Sequence, residues 1–288
     1  MRVACRVLHV ACCVLCVLRH RILLNLALTS PLSAPPHRPF ILGTAESKWR
    51  MTLAHLLPRL LHDRGLLHRL FTQNIDGIDY QAGLPAELIV AVHGSLGKVA
   101  CEACGAAHAY APFQRAVRGQ IRDIYGVDAA APQASTPILC EQCRQPAVKP
   151  ATVLYGRELP REFFLAQRAL ITGQGQGPGP ADLLLVLGSS MTVFPAAGLP
   201  AHLPPAARCI VINREAVPTG LDAARCSFIG GDADELVLAL LQELGWRDDL
   251  RVHADKLCDH SRALLARSGI GAGPAPAVPE AAEQERLR

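Results

Sequence analysis

"FTQNIDGIDYQAGLPAELIVAVHGS", residues 71–95, is the stretch on which the fold turns. An apolar run, "LLHRLFT", stops at a polar Gln73-Asn74-Ile75-Asp76 turn, and a second, "ELIVAV", stops at His93-Gly94. Both runs are short and apolar with little alternation, the pattern of strands buried on both faces. Three more follow: "ADLLLVLGSS", "ARCIVINRE" and "CSFIGG". The stretches between several of them are long enough for crossover connections, so the expected fold class is α/β with a parallel sheet.

Helices fit around these strands. Residues 51–70, "MTLAHLLPRLLHDRGLLHRL", place Leu53, Leu56, Leu57, Leu60 and Leu61 at helical spacing, with Gly65 as the stop. "PREFFLAQRALI" reads as a helix opened by Pro160, followed by a flexible surface loop "TGQGQGPGP" at 172–180. "DELVLALLQELGW" is the closing helix of a domain expected over 46–246. Residues 247–288 form a charged tail that adds one amphipathic helix through "DKLCDHSRALLARSG" and ends disordered.

The chain of 288 residues carries a net charge of +4. Arg2, Arg6, Arg19, Arg21 and Arg38 all precede the first acidic residue, Glu46. That leaves 24 basic residues against 25 acidic ones from there on, a balance of −1. A near-neutral body with no basic stripe argues against nucleic-acid binding and against a zinc-ribbon nucleic-acid adaptor. Residues 1–45 read as a leader: "VLHVACCVLCVL" between Arg6 and Arg19, then a Pro-rich linker. Twelve apolar residues fall short of the roughly 20 of a membrane span, so no stable span is expected. Arg content suits a transit peptide and the apolar centre a secretory signal, while an aberrant translation start is the alternative to both. Four of the eleven cysteines lie in this leader. The others form no disulfide framework, so a reducing interior is the natural setting: nucleus or cytoplasm, or mitochondrion if the leader is a transit peptide.

Cys101-x-x-Cys104 and Cys140-x-x-Cys143 are separated by 35 residues, Gly105 to Leu139. Four thiolates close a tetrahedral shell around Zn2+, and the two-residue spacer lets both sulfurs of one knuckle reach the same ion. The alternative is two unrelated pairs of buried or redox-active cysteines, but a thioredoxin-like use needs one pair near a βαβ unit, not two. With every ligand a cysteine there is no position for water, so the zinc is expected to be structural. It holds a small module, about residues 95–150, inserted after the strand that ends in His93.

His93 follows "ELIVAV" and therefore sits at the carboxyl end of a buried strand, where open α/β sheets bind ligands. The 73–76 turn and Gly188-Ser189-Ser190 follow two further strands, so three polar turns can converge on one crevice. With these in order, "TQNIDGIDYQAGL", "AVHGS", the two cysteine pairs, "VKPATVLYG", "DLLLVLGSS", "VINRE" and "ELGW", the sequence resembles the sirtuin family over about residues 49–246. The resemblance implies a Rossmann-like domain with an inserted zinc module. It also implies NAD-dependent removal of acyl groups from lysine side chains of protein or peptide substrates, giving nicotinamide, O-acyl-ADP-ribose and free lysine. His93 matches the catalytic base, which takes a proton from a ribose hydroxyl, a task suited to neutral imidazole. Gln73, Asn74, Ile75 and Asp76 resemble the turn facing the nicotinamide and its ribose. Gly188, Ser189 and Ser190 match the turn against the phosphate and ribose region; Asn213, Arg214 and Glu215 match the adenosine-ribose segment; Ala233 falls near the adenine contact. Val153, Leu154 and Tyr155 resemble the strand that pairs with the substrate peptide.

Two departures stand out. Tyr155-Gly156-Arg157 replaces the family's Phe-Gly-Glu, reversing a charge beside the substrate groove. Upstream, the family's opening strand, its Gly-Ala-Gly-x-Ser loop and its Ile-Pro-Asp-Phe-Arg segment have no counterpart, and Gly43-Thr44-Ala45 is no substitute. The loop's backbone donors would hold the pyrophosphate, so weak NAD binding and poor turnover are expected. An inactive zinc-containing peptide-binding module is the second reading. Loss of the first strand also leaves two neighbours with unpaired edges. "VLHVACCVLCVL" or "RILLNLAL" offers a surrogate strand, but disorder or removal of the leader is the expectation.

Overall fold

Every one of the five apolar runs becomes a strand. In the computed structural model, which describes residues 7–11, 38–39, 41–43, 49–153, 158–172, 180–217 and 222–271, nine strands are defined. They are β1 (Val7–Ala11), β2 (Leu67–Thr72), β3 (Ile89–Ala91), β4 (Gly94–Cys101), β5 (Ala107–His108), β6 (Val148–Thr152), β7 (Leu183–Leu187), β8 (Arg208–Asn213) and β9 (Cys226–Gly230). Six pair in parallel in the order β3-β2-β1-β7-β8-β9. This is the order of dinucleotide-binding sheets, in which the chain reverses direction of travel beside the first strand and ligands sit at the carboxyl ends there.

Burial on both faces explains the apolar runs of β2, β7 and β8, whereas the edge strand β9 is exposed from Ser227 to Gly230. Leu70, Leu185, Leu187 and Ile212 point to one side, where the helices Leu53–Asp63, Ala233–Glu243 and Asp259–Arg267 pack. Phe71, Leu184, Val186 and Val211 point to the other, against Phe163 and Leu170 of the helix Arg161–Thr172 and Leu199 of a short 3-10 segment. The inserted module is separate: β5-β4-β6 form an antiparallel sheet, with Phe113 and Val117 of the helix Tyr110–Gln120 over it. No helix among the described residues is long and apolar enough to cross a membrane.

Three segments depart from the expected organisation. β1 comes from the leader and lies at the centre of the sheet, in register with Leu183–Leu187 on one side and Leu67–Thr72 on the other. These five residues form the surrogate strand in place of disorder. A gap between two strands offers two rows of backbone partners, and an apolar segment flanked by arginines has the same composition whether it serves as a targeting core or as a buried strand. "RILLNLAL" and the place of a phosphate-binding loop after β1 lie outside the described residues. Second, Ile41 and Leu42 are buried against the inserted module. Tyr110 donates to the Ile41 carbonyl at 2.8 Å, and Arg38, itself buried, pairs with Asp128 at 2.6 Å, holding the Asp128 carboxyl below the ordinary range. Third, the tail assigned from residue 247 packs Leu250, Leu257, Leu264, Leu265 and Ile270 into the main core. Arg64 reaches Asp249 at 2.6 Å and lies 3.9 Å over the Trp246 ring. The loop at 173–179 and everything after 271 lie outside the described residues.

One carboxylate ties three helices together. Asp234, buried at the start of the Ala233–Glu243 helix, accepts from the Leu53 N–H at 3.2 Å and the Ala54 N–H at 3.0 Å, two amides with no partner inside their own helix. The Ser261 hydroxyl of the Asp259–Arg267 helix donates to the same carboxylate. Asp234→Ala is expected to cost about 2–3 kcal/mol, because buried donors lose a charged acceptor. Asp234→Asn, which keeps an acceptor oxygen, is expected to cost less. Denaturant midpoints measure both, and equal midpoints for parent and alanine variant would refute the role.

Candidate functional site

The carboxyl ends of β2, β3 and β7 meet beside the carboxyl end of β1. After β2 the chain turns through Gln73–Gly77. Thr72 Oγ1 accepts from the Asn74 N–H at 3.3 Å, and Asp76 Oδ1 accepts from the Ile78 N–H at 3.0 Å, which shapes the turn from within. The Ile75 carbonyl accepts from the Leu96 N–H at 2.7 Å, anchoring the turn to β4. After β7, Gly188 adopts φ +63° and donates to the Ile212 carbonyl at 2.8 Å. Ser189 is buried, and its hydroxyl receives both the Met191 N–H at 3.1 Å and the Gln73 side-chain amide at 3.4 Å. Gln73 and Ser189 therefore bridge two turns across the end of the central strand. Ser190 is exposed and bonds Thr192 at 2.8 Å.

His93 is fixed from two directions. Its Nδ1 lies 3.0 Å from the Gln73 carbonyl oxygen. A carbonyl only accepts, so Nδ1 carries the hydrogen and Nε2 keeps its lone pair as a proton acceptor. The His93 carbonyl accepts from the Val153 N–H at 2.9 Å, so the histidine backbone is tied to the chain returning from the inserted module. Gly94 permits the approach: φ is +75°, and a Cβ there would lie 2.0 Å from the Ala151 carbonyl oxygen. Val153 thus stands beside the histidine, whereas Leu154, Tyr155 and Arg157 lie outside the described residues.

Beneath the turn lies a polar cluster that the sequence reading did not single out. Asp79 is buried at 1% exposure. Burial pushes its carboxyl up, opposed by the charge of His55 and a hydrogen bond with Thr72. The one available signal was an aspartate directly after Ile78, in a four-residue helix where an apolar residue is the usual inward choice. The Asn74 side-chain nitrogen is also buried and has no partner among the described residues.

The residues read for the adenosine side sit farther along the sheet. Asn213 closes β8 and donates to the Glu215 carbonyl at 2.8 Å. Arg214 turns to Asp232 as an ion pair, and Gly231 N–H donates to the Asn213 carbonyl at 3.0 Å. Against the push of burial, Arg214 and the helix amides hold the Asp232 carboxyl below its ordinary range. Ala233 is buried in the main core, so its side chain faces the core.

The four knuckle sulfurs all lie within 4.8 Å of one another. Cys101 Sγ is 3.6 Å from Cys143 Sγ, and Cys104 Sγ is 3.7 Å from Cys140 Sγ. Sulfurs at about 2.3 Å from a tetrahedral zinc stand about 3.7–3.8 Å apart, so the cluster fits that ion. The two knuckles are built alike. Gly105 N–H returns to the Cys101 carbonyl at 2.9 Å and Arg144 N–H to the Cys140 carbonyl at 3.0 Å, both with positive φ. The Cys143 N–H, then that of Gln142 and the His108 ring, hold the Cys140 thiol down to about 6, whereas, against the Gln145 N–H, burial and the other three sulfurs push the Cys143 thiol up to about 12. His108 Nε2 lies 3.4 Å from Cys140 Sγ, a contact the spacing alone does not reveal.

Comparison with known proteins shows what the chain is similar to. Residues 39–195 match the model of the Sir2 family. The NAD-dependent protein deacetylase hst2 of Schizosaccharomyces pombe is 33% identical over 218 residues, covering 76% of this chain and 58% of hst2. The NAD-dependent protein deacetylase sirtuin-3 of Mus musculus is 34% identical over 220 residues, covering 74% and 58% respectively. The chain therefore spans somewhat over half the length of these curated relatives. A solved structure from work on sirtuin substrate affinity shares the fold with a TM-score of 0.52 at 24% identity, covering 68% of this chain and 72% of that one.

Proposed function

The chain belongs to the Sir2 family, and from that premise we propose that it is an NAD-dependent protein-lysine deacylase with His93 as its base. The observation that carries the reading is the His93 ring, held by the Gln73 carbonyl with no partner to Nε2 among the described residues, at the carboxyl ends of the sheet beside the β1–β7 reversal. NAD supplies the electrophilic ribose carbon and the hydroxyls onto which the acyl group is transferred. The residues present fit such a molecule: Asn74 offers a buried amide without a partner among the described residues, and Gly188 opens the backbone after β7.

Each side chain then has a task. His93 Nε2 accepts a proton from a sugar hydroxyl, and the Gln73 carbonyl stabilises the imidazolium that results through Nδ1–H. Asn74 and Asp76 present amide and carboxylate groups to the nicotinamide end. Ser189 and Ser190 line the middle of the crevice, with Asn213–Glu215 and the backbone near Ala233 toward the adenosine end. Val153, with Leu154 and Tyr155, guides an acylated peptide alongside as an added strand.

The test is nicotinamide release and deacetylation of an acetyl-lysine peptide by the zinc-loaded chain. His93→Ala is expected to lower turnover by about 10²-fold or more, with an unchanged thermal midpoint. Full turnover in that variant would remove His93 from its role. Peptide binding without nicotinamide release in the parent would leave a binding module instead.

A further inference from the structure

Two cysteines outside the knuckles stand side by side in the sheet. Cys209, the second residue of β8, and Cys226, the first of β9, are register partners in parallel strands. The Cys209 N–H donates to the carbonyl of Arg225, the residue before Cys226, at 2.8 Å, which fixes the pair at the base of the two strands. Both side chains pack into the same apolar layer, Cys209 buried and Cys226 half-buried. Neighbouring strands lie about 4.7–4.9 Å apart, inside the Cα separation of about 4.4–6.8 Å that a disulfide spans. Burial and then the neighbouring Cys226 sulfur push the Cys209 thiol up, so the inner member stays protonated at neutral pH.

We propose that Cys209 and Cys226 form a reversible disulfide on exposure to hydrogen peroxide, a modification site apart from both the knuckles and the crevice. The half-buried Cys226 reacts first, as its thiolate. Its sulfur attacks one peroxide oxygen, the O–O bond breaks, and the departing hydroxide takes up from solvent the proton that the thiol released on ionising, leaving water and a sulfenic acid. The Cys209 sulfur then attacks the sulfenic sulfur. The S–S bond forms, the S–O bond breaks, and the second hydroxide leaves as water with the Cys209 proton. Two thiols are oxidised, one peroxide is reduced to two waters, and a dithiol reductant reverses the step. The cross-link ties the edge strand β9 to β8 about four residues, or about 13 Å, below the turns at their carboxyl ends. It rests on the sheet geometry alone and does not depend on the deacylase reading.

Peptide mapping tests this on the full-length, zinc-loaded chain. After peroxide treatment and iodoacetamide blocking, trypsin cleaves at Arg208, Arg214, Arg225 and Arg247, releasing peptides 209–214 and 226–247 with one cysteine each. The expected product is the linked pair, lighter than the two free-thiol peptides together by two hydrogens, with loss of most of the alkylated 226–247 peptide. It should vanish on reduction and be absent from Cys209→Ser and from Cys226→Ser. Recovery of both peptides alkylated, of Cys226 as a sulfinic or sulfonic acid beside alkylated Cys209, or of either cysteine joined to a third one would overturn the proposal. The map of the unsubstituted chain decides the matter even if a serine variant fails to fold.

Discussion

Cys140→Ser is expected to release zinc, reducing the metal from one ion per chain to a small fraction, and to unfold the module between β4 and β6. A closed thiolate shell is worth about 10–16 kcal/mol of apparent binding free energy in small zinc units, and that energy is folding energy because the site does not pre-exist in the unfolded chain. Whole domains have stabilities of about 5–15 kcal/mol, so little of the module's order survives the loss. Its own core is modest, with Val99, Phe113, Val117, Ile121 and Val148 as the main apolar members. The consequence reaches the crevice. β4 begins at Gly94, directly after His93, and the Val153 N–H that follows β6 holds the His93 carbonyl at 2.9 Å. Elemental analysis and thermal melts of Cys140→Ser and Cys101→Ser, with turnover measured in parallel, check all three parts. Unchanged zinc content and midpoint in both variants would mean that the four sulfurs hold no metal.

How much of this was legible in the sequence depends on the range of the signal. Apolar strands announce themselves by local composition, and all five runs form strands, although β9, at the sheet edge, is exposed from Ser227 to Gly230 and owes its apolar residues to no buried face. The knuckles were legible because two cysteines at fixed spacing carry their own geometry, and a second pair confirms the first. His93 was singled out from its position after a buried apolar run, and the strand closes two residues before it, at Ala91. What escaped depends on partners far away in the chain. Asp234 looks like an ordinary acidic residue in a first helical turn, yet its work is done on amides about 180 positions upstream. Asp79 and His108 likewise acquire meaning only from Thr72 and Cys140, which no spacing rule links to them. The helix read within 255–269 is present as Asp259–Arg267, but Leu250, Leu257 and Leu264 are too sparse for their burial in the main core to show in composition.

The leader residues that form β1 yield the sharpest test. Deleting residues 1–11 is expected to abolish cooperative folding, whereas a cleavable leader would be dispensable. The argument is backbone pairing. β1 is bonded on both sides, so its removal exposes the facing edges of β2 and β7 together, and those edges are buried between helix layers where water cannot replace the lost partners. A single substitution isolates the same effect without shortening the chain. Val10→Pro removes one ladder donor from a central strand and forces the pyrrolidine ring against its neighbour, a change expected to cost roughly 3 kcal/mol or more. Val10→Thr, which keeps both the N–H and the branched shape, serves as the control. The crevice should fail along with the sheet, because the Gln73–Ser189 bridge at 3.4 Å spans the end of this strand and is held only while β2 and β7 flank it. Denaturant unfolding followed by circular dichroism, with NAD titration calorimetry alongside, measures both losses. If the chain beginning at residue 12 melts as sharply as the full chain and binds NAD equally well, Val7–Ala11 is a leader after all and the sheet closes without it.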